Sequence, residues 1–247
     1  MQTGRTDDGL CGSPAIVLRP GQLVGTVCAK GGAHCPLLEQ AAAEAILRRL
    51  EADPTATIRL VADADTVLYF RAMATATSLA AGPSDALSRK RDLDVLQRLG
   101  LAPGDTRRAR YLYTLLFERI ATPCGLCAYD TPGWEGCPLA RSGAYEAVRA
   151  AGWEAIVHAR SDAERAESRR RNAAEIAKAD RLYIRPHHLM CLSCWYNGGS
   201  AKGPRPNDTL YEILLRIREQ PDIPLTLVEG PCMACDCCDG LHPANGR

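Results

Sequence analysis

Two stretches of this chain match two others at a nearly fixed spacing, and that match limits the possible fold more than any other feature. IVLRPGQLVGTVCAKGG (16–32) and LYIRPHHLMCLSCWYNG (182–198) share residues at an offset of 166: Arg19 with Arg185, Pro20 with Pro186, Leu23 with Leu189, Cys28 with Cys194 and Gly32 with Gly198. ILRRLEADPTATIRLVADAD (46–65) and ILLRIREQPDIPLTLVEGPC (213–232) match at an offset of 167, where Ile46, Leu47, Arg49, Pro54, Leu60 and Val61 find identical partners. Self-similarity at a fixed spacing is the mark of a repeated unit. In each half an apolar β-type run (AIVLR, RLYIR) meets a proline suited to the first turn of a short helix. A Gly-containing loop, a longer amphipathic helix and a second strand (TIRLVA, IPLTLV) come next. The expected fold is α+β and helix-rich, with two related strand-helix-helix-strand units and cysteine loops between elements.

The rest of the chain arranges itself around these units. Residues 1–14 read as a loose N-terminus, 15–140 as a degenerate first copy, 141–180 as a helical linker and 181–247 as a second copy. Within the first copy, residues 84–100 and 105–121 have helical apolar spacing, with Ser84 and Asp105 as N-caps and LAPGD as the turn between them. Residues 138–151 and 161–180 read as two more helices. In the last of these Ser161 caps, Glu164 completes a capping box, and Glu167 pairs with Arg170 and Arg171, so the basic run reads as a solvated helix face.

A chain of 247 residues can bury a core without covalent staples, yet it carries twelve cysteines. No basic stretch leading into an apolar run marks it for export, and no run approaches the roughly 18 apolar residues that span a bilayer. The expected setting is therefore the cytoplasm, where clustered thiols more often bind metal than pair. Thirty basic against twenty-nine acidic residues argue against a nucleic-acid-coating protein. Phosphate loops, dinucleotide fingerprints, His-Glu-x-x-His and Gly-x-Ser-x-Gly are all missing, which removes support for ordinary nucleotide chemistry and hydrolysis.

The cysteines concentrate in two places. In EGPCMACDCCDGLHP (229–243), Cys232, Cys235 and Cys238 are spaced C-x2-C-x2-C, and the fourth place of a ferredoxin run falls on His242 before Pro243. In PCGLCAYDTPGWEGCP, Cys124, Cys127 and Cys137 form C-x2-C-x9-C around Trp134. The second copy has His187, His188, Cys191, Cys232 and Cys235 where the first has Gly21, Gln22, Gly25, Asp65 and Leu68, so each half holds thiols that the other lacks.

At RPHHLMCLSC (185–194) and the cysteine loops just quoted, the chain resembles the family called domain of unknown function 1284. The turn Leu99-Gly100-Leu101-Ala102-Pro103-Gly104-Asp105 and the loop Cys124 to Cys137 resemble further parts of that family's pattern. The resemblance implies an iron-sulfur protein with no established activity, and by its pattern Cys191 or Cys194 supplies the fourth ligand.

The leading expectation is an iron-sulfur cluster of the 4Fe-4S type, working in electron transfer or in an accessory subunit beside a redox or enzyme partner protein, with no nucleic acid and no membrane. The metal ligands are expected among Cys191, Cys194, Cys232, Cys235, Cys238, Cys124, Cys127 and Cys137, with His187 and His188 donating to sulfur or moving protons. Zinc is the alternative, since Cys191-x2-Cys194 and Cys232-x2-Cys235 would make a four-thiolate structural site in an interaction module. A third reading is an enzyme whose cluster has one open iron. Cys11, Cys28 and Cys35 show no tight spacing and read as small buried apolar residues, and Cys237 as a neighbour of ligands. Trp134 and Trp195 read as apolar lids, and Asp63 with Asp65 lacks the glycine and glutamate of a calcium loop.

Overall fold

The computed structural model describes residues 15–62, 83–132, 135–198, 203–205, 208–228 and 231–235, with the backbone alone at 83–86 and 195–198. Cys11, Asp63, Asp65, Trp134, Cys237, Cys238, His242 and the side chain of Trp195 lie outside the described residues. The fold is α+β and helix-rich.

Strand β1 (Ile16–Leu18) ends at Arg19, and Pro20 opens helix α1 (Pro20–Lys30) at the position where a missing N–H costs nothing. Arg19 donates its backbone N–H to Gln22 Oε1 at 2.9 Å, which closes the helix start. Helix α2 (Gln40–Ala52) leads to strand β2 (Thr57–Leu60), which pairs parallel to β1 with Ile16 opposite Ile58 and Leu18 opposite Leu60. After helix α3 (Pro83–Leu99), strand β3 (Thr106–Arg108) joins the other side of β2 antiparallel, giving the order β1-β2-β3. Helices α4 (Ala109–Arg119) and α5 (Ala144–Ala151) complete this half.

Strand β3 corrects the expectation of a helix capped by Asp105. The Gly104 amide donates to the Leu60 carbonyl at 2.7 Å and the Leu60 amide to the Asp105 carbonyl at 2.9 Å, so the edge of β2 captures the chain before a helix can start. The Asp105 carboxylate is used within the turn, accepting from the Ala102 amide at 3.0 Å. Helix α3 begins at Pro83, which places Ser84 inside its first turn instead of at its cap. The single helix expected over 138–151 is two pieces, a 3-10 turn at Pro138–Arg141 and α5, parted by Gly143 at φ +81°.

Helix α1 is the centre of the larger core. It packs against α2, α3 and α5, and Leu23, Val24 and Val27 are completely buried on it. They meet Leu50, Ile58, Leu60, Leu99, Leu112, Leu116, Ile120 and Leu126. Thr26, also buried, donates to the Leu23 carbonyl at 2.7 Å and shares a 2.8 Å hydrogen bond with the Tyr113 hydroxyl, so both polar groups are satisfied inside apolar packing. Asp92 fastens the start of the helix from α3, accepting from the Gly21 amide at 2.8 Å and from Arg19 Nε at 2.7 Å.

The C-terminal half opens with helix α6 (Asp162–Lys178), whose Ser161 cap and Glu164 form the expected capping box. The helix is more than a solvated face, because Ile176 enters a second core and Asn172 is buried. Strand β4 (Leu182–Ile184), helix α7 (Pro186–Gly198), helix α8 (Leu210–Glu219) and strand β5 (Leu225–Leu227) come after it. The strands are parallel, with Leu182 opposite Leu225 and Ile184 opposite Leu227. This core is small: ten buried residues among those described, against twenty-eight in the first. Arg108 of β3 joins the two halves, donating to the Thr55 carbonyl and, at 3.2 Å, to the Cys235 carbonyl. Among the described residues no helix is long and apolar enough to cross a membrane.

Asp92 serves two donors from a buried position, so Asp92→Ala should lower stability by about 2–4 kcal/mol by leaving a guanidinium and an amide without their acceptor. Urea denaturation monitored by circular dichroism checks this, and a change below about 0.5 kcal/mol would show that the carboxylate does not anchor α1.

Candidate metal centre

Parallel pairing of β4 with β5 brings the start of α7 and the segment after β5 to the same edge of the small sheet. There, His188 Nδ1 lies 3.1 Å from Cys232 Sγ, and Cys232 Sγ lies 3.7 Å from Cys235 Sγ. Among the described residues these three form the one group of His, Cys, Asp or Glu whose ligand atoms all lie within 4.8 Å of one another. The sulfurs are free thiols, far beyond the ~2.05 Å of a disulfide.

The loop that carries the two cysteines is held from several sides. Asn172 donates to Thr209 Oγ1 at 2.7 Å and to the Met233 carbonyl at 2.6 Å, and Thr209 Oγ1 donates to the same carbonyl at 3.2 Å. The Tyr183 amide points at Met233 Sδ at 3.3 Å, and the Cys235 amide bonds to the Cys232 carbonyl at 2.8 Å within a 3-10 turn, Met233–Cys235. The hydrogen bond from Cys235 and burial push the Cys232 thiol up, and backbone amides of Arg185 and Ala234 pull against them. A sulfur with two backbone amides beside it on an anchored loop suits a ligand oriented before the metal arrives.

Protonation is consistent with ligation. Burial, then the neighbouring His187 and Arg185, holds His188 down to about 4, so its imidazole is neutral at pH 7 and offers a lone pair. The hydrogen bond between the two thiols raises Cys232 and lowers Cys235, which means the pair parts with its first proton readily and keeps the second. Arg185 and Arg108 add positive charge beside Cys235. Two Zn–S bonds of about 2.3 Å at the tetrahedral angle span about 3.8 Å, close to the observed sulfur separation. The His188 contact would open by roughly half an ångström on the same geometry.

Other expected residues stand elsewhere. Cys191 and Cys194 are exposed on α7 and are not members of the group, whereas His188, one turn earlier on the same helix, is. His187 packs its ring edge-on to His188 at 4.2 Å between centroids. Cys238 and His242 lie outside the described residues and are the chain's own candidates for a fourth position.

In the first half, Cys127 and Cys137 do meet, and they meet Cys28 and Cys35, whose spacing gives no hint of a shared site. All four line one cleft with Val24, Gly25, Arg91 and Leu139, and His34 lies at its wall. Burial first, then Cys127, Cys35 and Cys137, pushes Cys28 up to about 12; burial pushes Cys127 up to about 11, with Arg91 pulling against it. Cys35 is raised by burial, and Cys137 adds to the effect. Cys124 does not line the cleft; its thiol donates to the Ala140 carbonyl at 3.7 Å. A signal for Cys28 existed in the sequence: it falls on Cys194 at the offset of 166.

His188 has its folded-state pKa below the usual 6.5, so as pH falls the unfolded chain takes up the proton first. The metal-free protein should therefore keep its stability above about pH 7 and lose about 1–2 kcal/mol between about pH 6.5 and 4.5, after discounting for the partial exposure of the ring. Melting with chelator present checks this, and His188→Gln should flatten that part of the profile.

No protein-family model, no curated protein and no solved structure matches the chain.

Proposed function

We propose that this is a metal-binding protein whose C-terminal unit closes around one tetrahedral divalent ion, zinc before others, through His188 Nδ1, Cys232 Sγ and Cys235 Sγ. The observation that carries this reading is the 3.7 Å between the two sulfurs. A single ion pulls its thiolates to about that distance, whereas a cubane gives each thiolate a different iron and holds the sulfurs farther apart. Mixed nitrogen and sulfur donors suit zinc and disfavour hard cations such as magnesium.

The ion's task is structural in this reading. The second core has ten buried residues among those described, too few to hold a unit firmly without a staple. A bond from α7 to the loop after β5 fixes the beginning and end of the unit together, and the affinity of the ion becomes folding energy. We further propose that the two strand-helix-helix-strand units are copies of one ancestral unit, a reading supported by strand partners that differ by 166 and 167 residues, the offsets of the sequence match.

The purified chain should carry about one zinc at this centre, and Cys235→Ser or His188→Ala should reduce it below about a tenth. Cobalt substitution should give the absorption of a tetrahedral ion with thiolate charge transfer. Amides in 182–228 should lose hydrogen-exchange protection on chelation while those in 16–60 keep theirs. A C-terminal unit equally protected with and without metal would overturn the structural role.

A further inference from the structure

We propose that Cys232 and Cys235 are also a reversible dithiol, which a hydroperoxide oxidises to a disulfide within the tail loop, releasing the ion. This inference rests on the reading of His188, Cys232 and Cys235 as ligands of one ion, and it concerns how that site is emptied. The two Sγ atoms lie 3.7 Å apart. A disulfide requires about 2.05 Å, so the sulfurs have about 1.7 Å to close. The backbone is already turned for the bond. The Cys235 amide donates to the Cys232 carbonyl at 2.8 Å, and a turn closed in this way keeps its first and last Cα atoms within about 7 Å. Disulfides bridge Cα atoms about 4.4–6.8 Å apart, so the turn brings the two residues towards bonding range. Two residues between cysteines is also the spacing of exchanging dithiols.

The two thiols differ in access. Cys232 is completely buried, whereas Cys235 is partly exposed. The oxidant therefore meets Cys235 first, and Cys232 is the resolving thiol held beside it. Cys191 and Cys194 are more exposed, yet they stand outside the group whose ligand atoms lie within 4.8 Å of one another, and among the described residues no third sulfur belongs to that group.

Cys235 Sγ attacks an oxygen of the hydroperoxide; the O–O bond breaks, Cys235 becomes a sulfenic acid, and with hydrogen peroxide the leaving group is water. Cys232 Sγ then attacks the Cys235 sulfur, the S–S bond forms, the S–O bond breaks and a second water leaves. Each thiolate gives up one electron, the peroxide gains two, and two protons from solvent complete the waters. The ion loses two of its three donors and returns to solvent. Reduction by a dithiol gives both thiols back to the site.

The bond formed does not replace the bonds lost. Cys232 and Cys235 belong to one loop, and a cross-link over so short a span removes little freedom from the unfolded chain. The ion instead joins that loop to His188 on α7, across a core of ten buried residues among those described. Oxidation therefore unties α7 from the loop, while Asn172, Thr209 and Arg108 keep their hold on the loop's carbonyls. The larger core contains neither cysteine and is left as it was.

The test uses the full chain, loaded with zinc under reducing conditions, freed of reductant without air and treated with hydrogen peroxide. A chromogenic chelator reads zinc release, peptide mass mapping reads disulfides, and hydrogen exchange reads α7. About nine-tenths or more of the zinc should leave, a Cys232–Cys235 disulfide should appear in the same fraction, and exchange at 186–194 should rise about tenfold while 20–30 stays unchanged. Dithiothreitol and then zinc should restore the starting state. Cys191→Ser with Cys194→Ser should release zinc as the wild type does, and a double variant that keeps its zinc overturns the proposal by assigning the oxidised thiols to α7. Zinc that stays bound in the wild type at a peroxide dose that oxidises Cys191 and Cys194 overturns it and leaves the ion reading standing. Zinc that leaves while the disulfide maps to another pair, or while Cys235 carries a sulfinic or sulfonic acid with no bond to Cys232, overturns it as well. A reduced chain that takes up no zinc removes the ion reading itself, and the release proposed here falls with it.

Discussion

Parallel pairing of two three-residue strands is the constraint on which the C-terminal centre depends. In a parallel pair both chains leave at the same edge, so the segments that continue from β4 and from β5 must be neighbours. Strand β4 runs into Arg185-Pro186-His187-His188 at the start of a helix, and β5 runs into the loop of Cys232 and Cys235. The same rule places small ligands at the carboxyl ends of strands in open parallel sheets. An antiparallel pair would have sent the tail to the far edge, and no local choice of residue could have restored the contact between His188 and Cys232.

Much of this arrangement is legible in the residues. Arg-Pro after an apolar run announces a strand running into a helix, and both Pro20 and Pro186 sit at helix starts as that pattern requires. The Ser161 and Glu164 box can be read from spacing alone because its chemistry is local. Strand β3 is not legible: Thr106–Arg108 pairs with β2 across the whole of α3, and nothing within the three residues announces the partner. The grouping of the thiols is legible only in part, for a similar reason. Spacing of two between cysteines is a reliable guide within a loop, where Cys232 and Cys235 are 3.7 Å apart, but on a regular helix Cys191 and Cys194 stay exposed. Cys28 and Cys35 carry no local pattern because the cysteines with which they share a cleft, Cys127 and Cys137, lie far along the chain.

The two thiol groups also differ in what surrounds the same side chain. Close sulfurs with one imidazole describe a single ion that staples a small core. In the first half Cys28, Cys35, Cys127 and Cys137 line one cleft beside the buried Arg91. The first half needs no staple, since its core is built around α1 with Leu23, Val24 and Val27 completely enclosed.

Arg108 gives the two halves a shared hinge pin. Its guanidinium takes one carbonyl from the loop before β2 and another from Cys235 itself, so the tail's ligand loop is steadied by a residue planted in the other sheet. A rotation of the Cys235 peptide plane would therefore pull on Arg108 and the strand that borders β2, so an ion taken up at the proposed tail centre would be felt by a reporter placed in the N-terminal sheet.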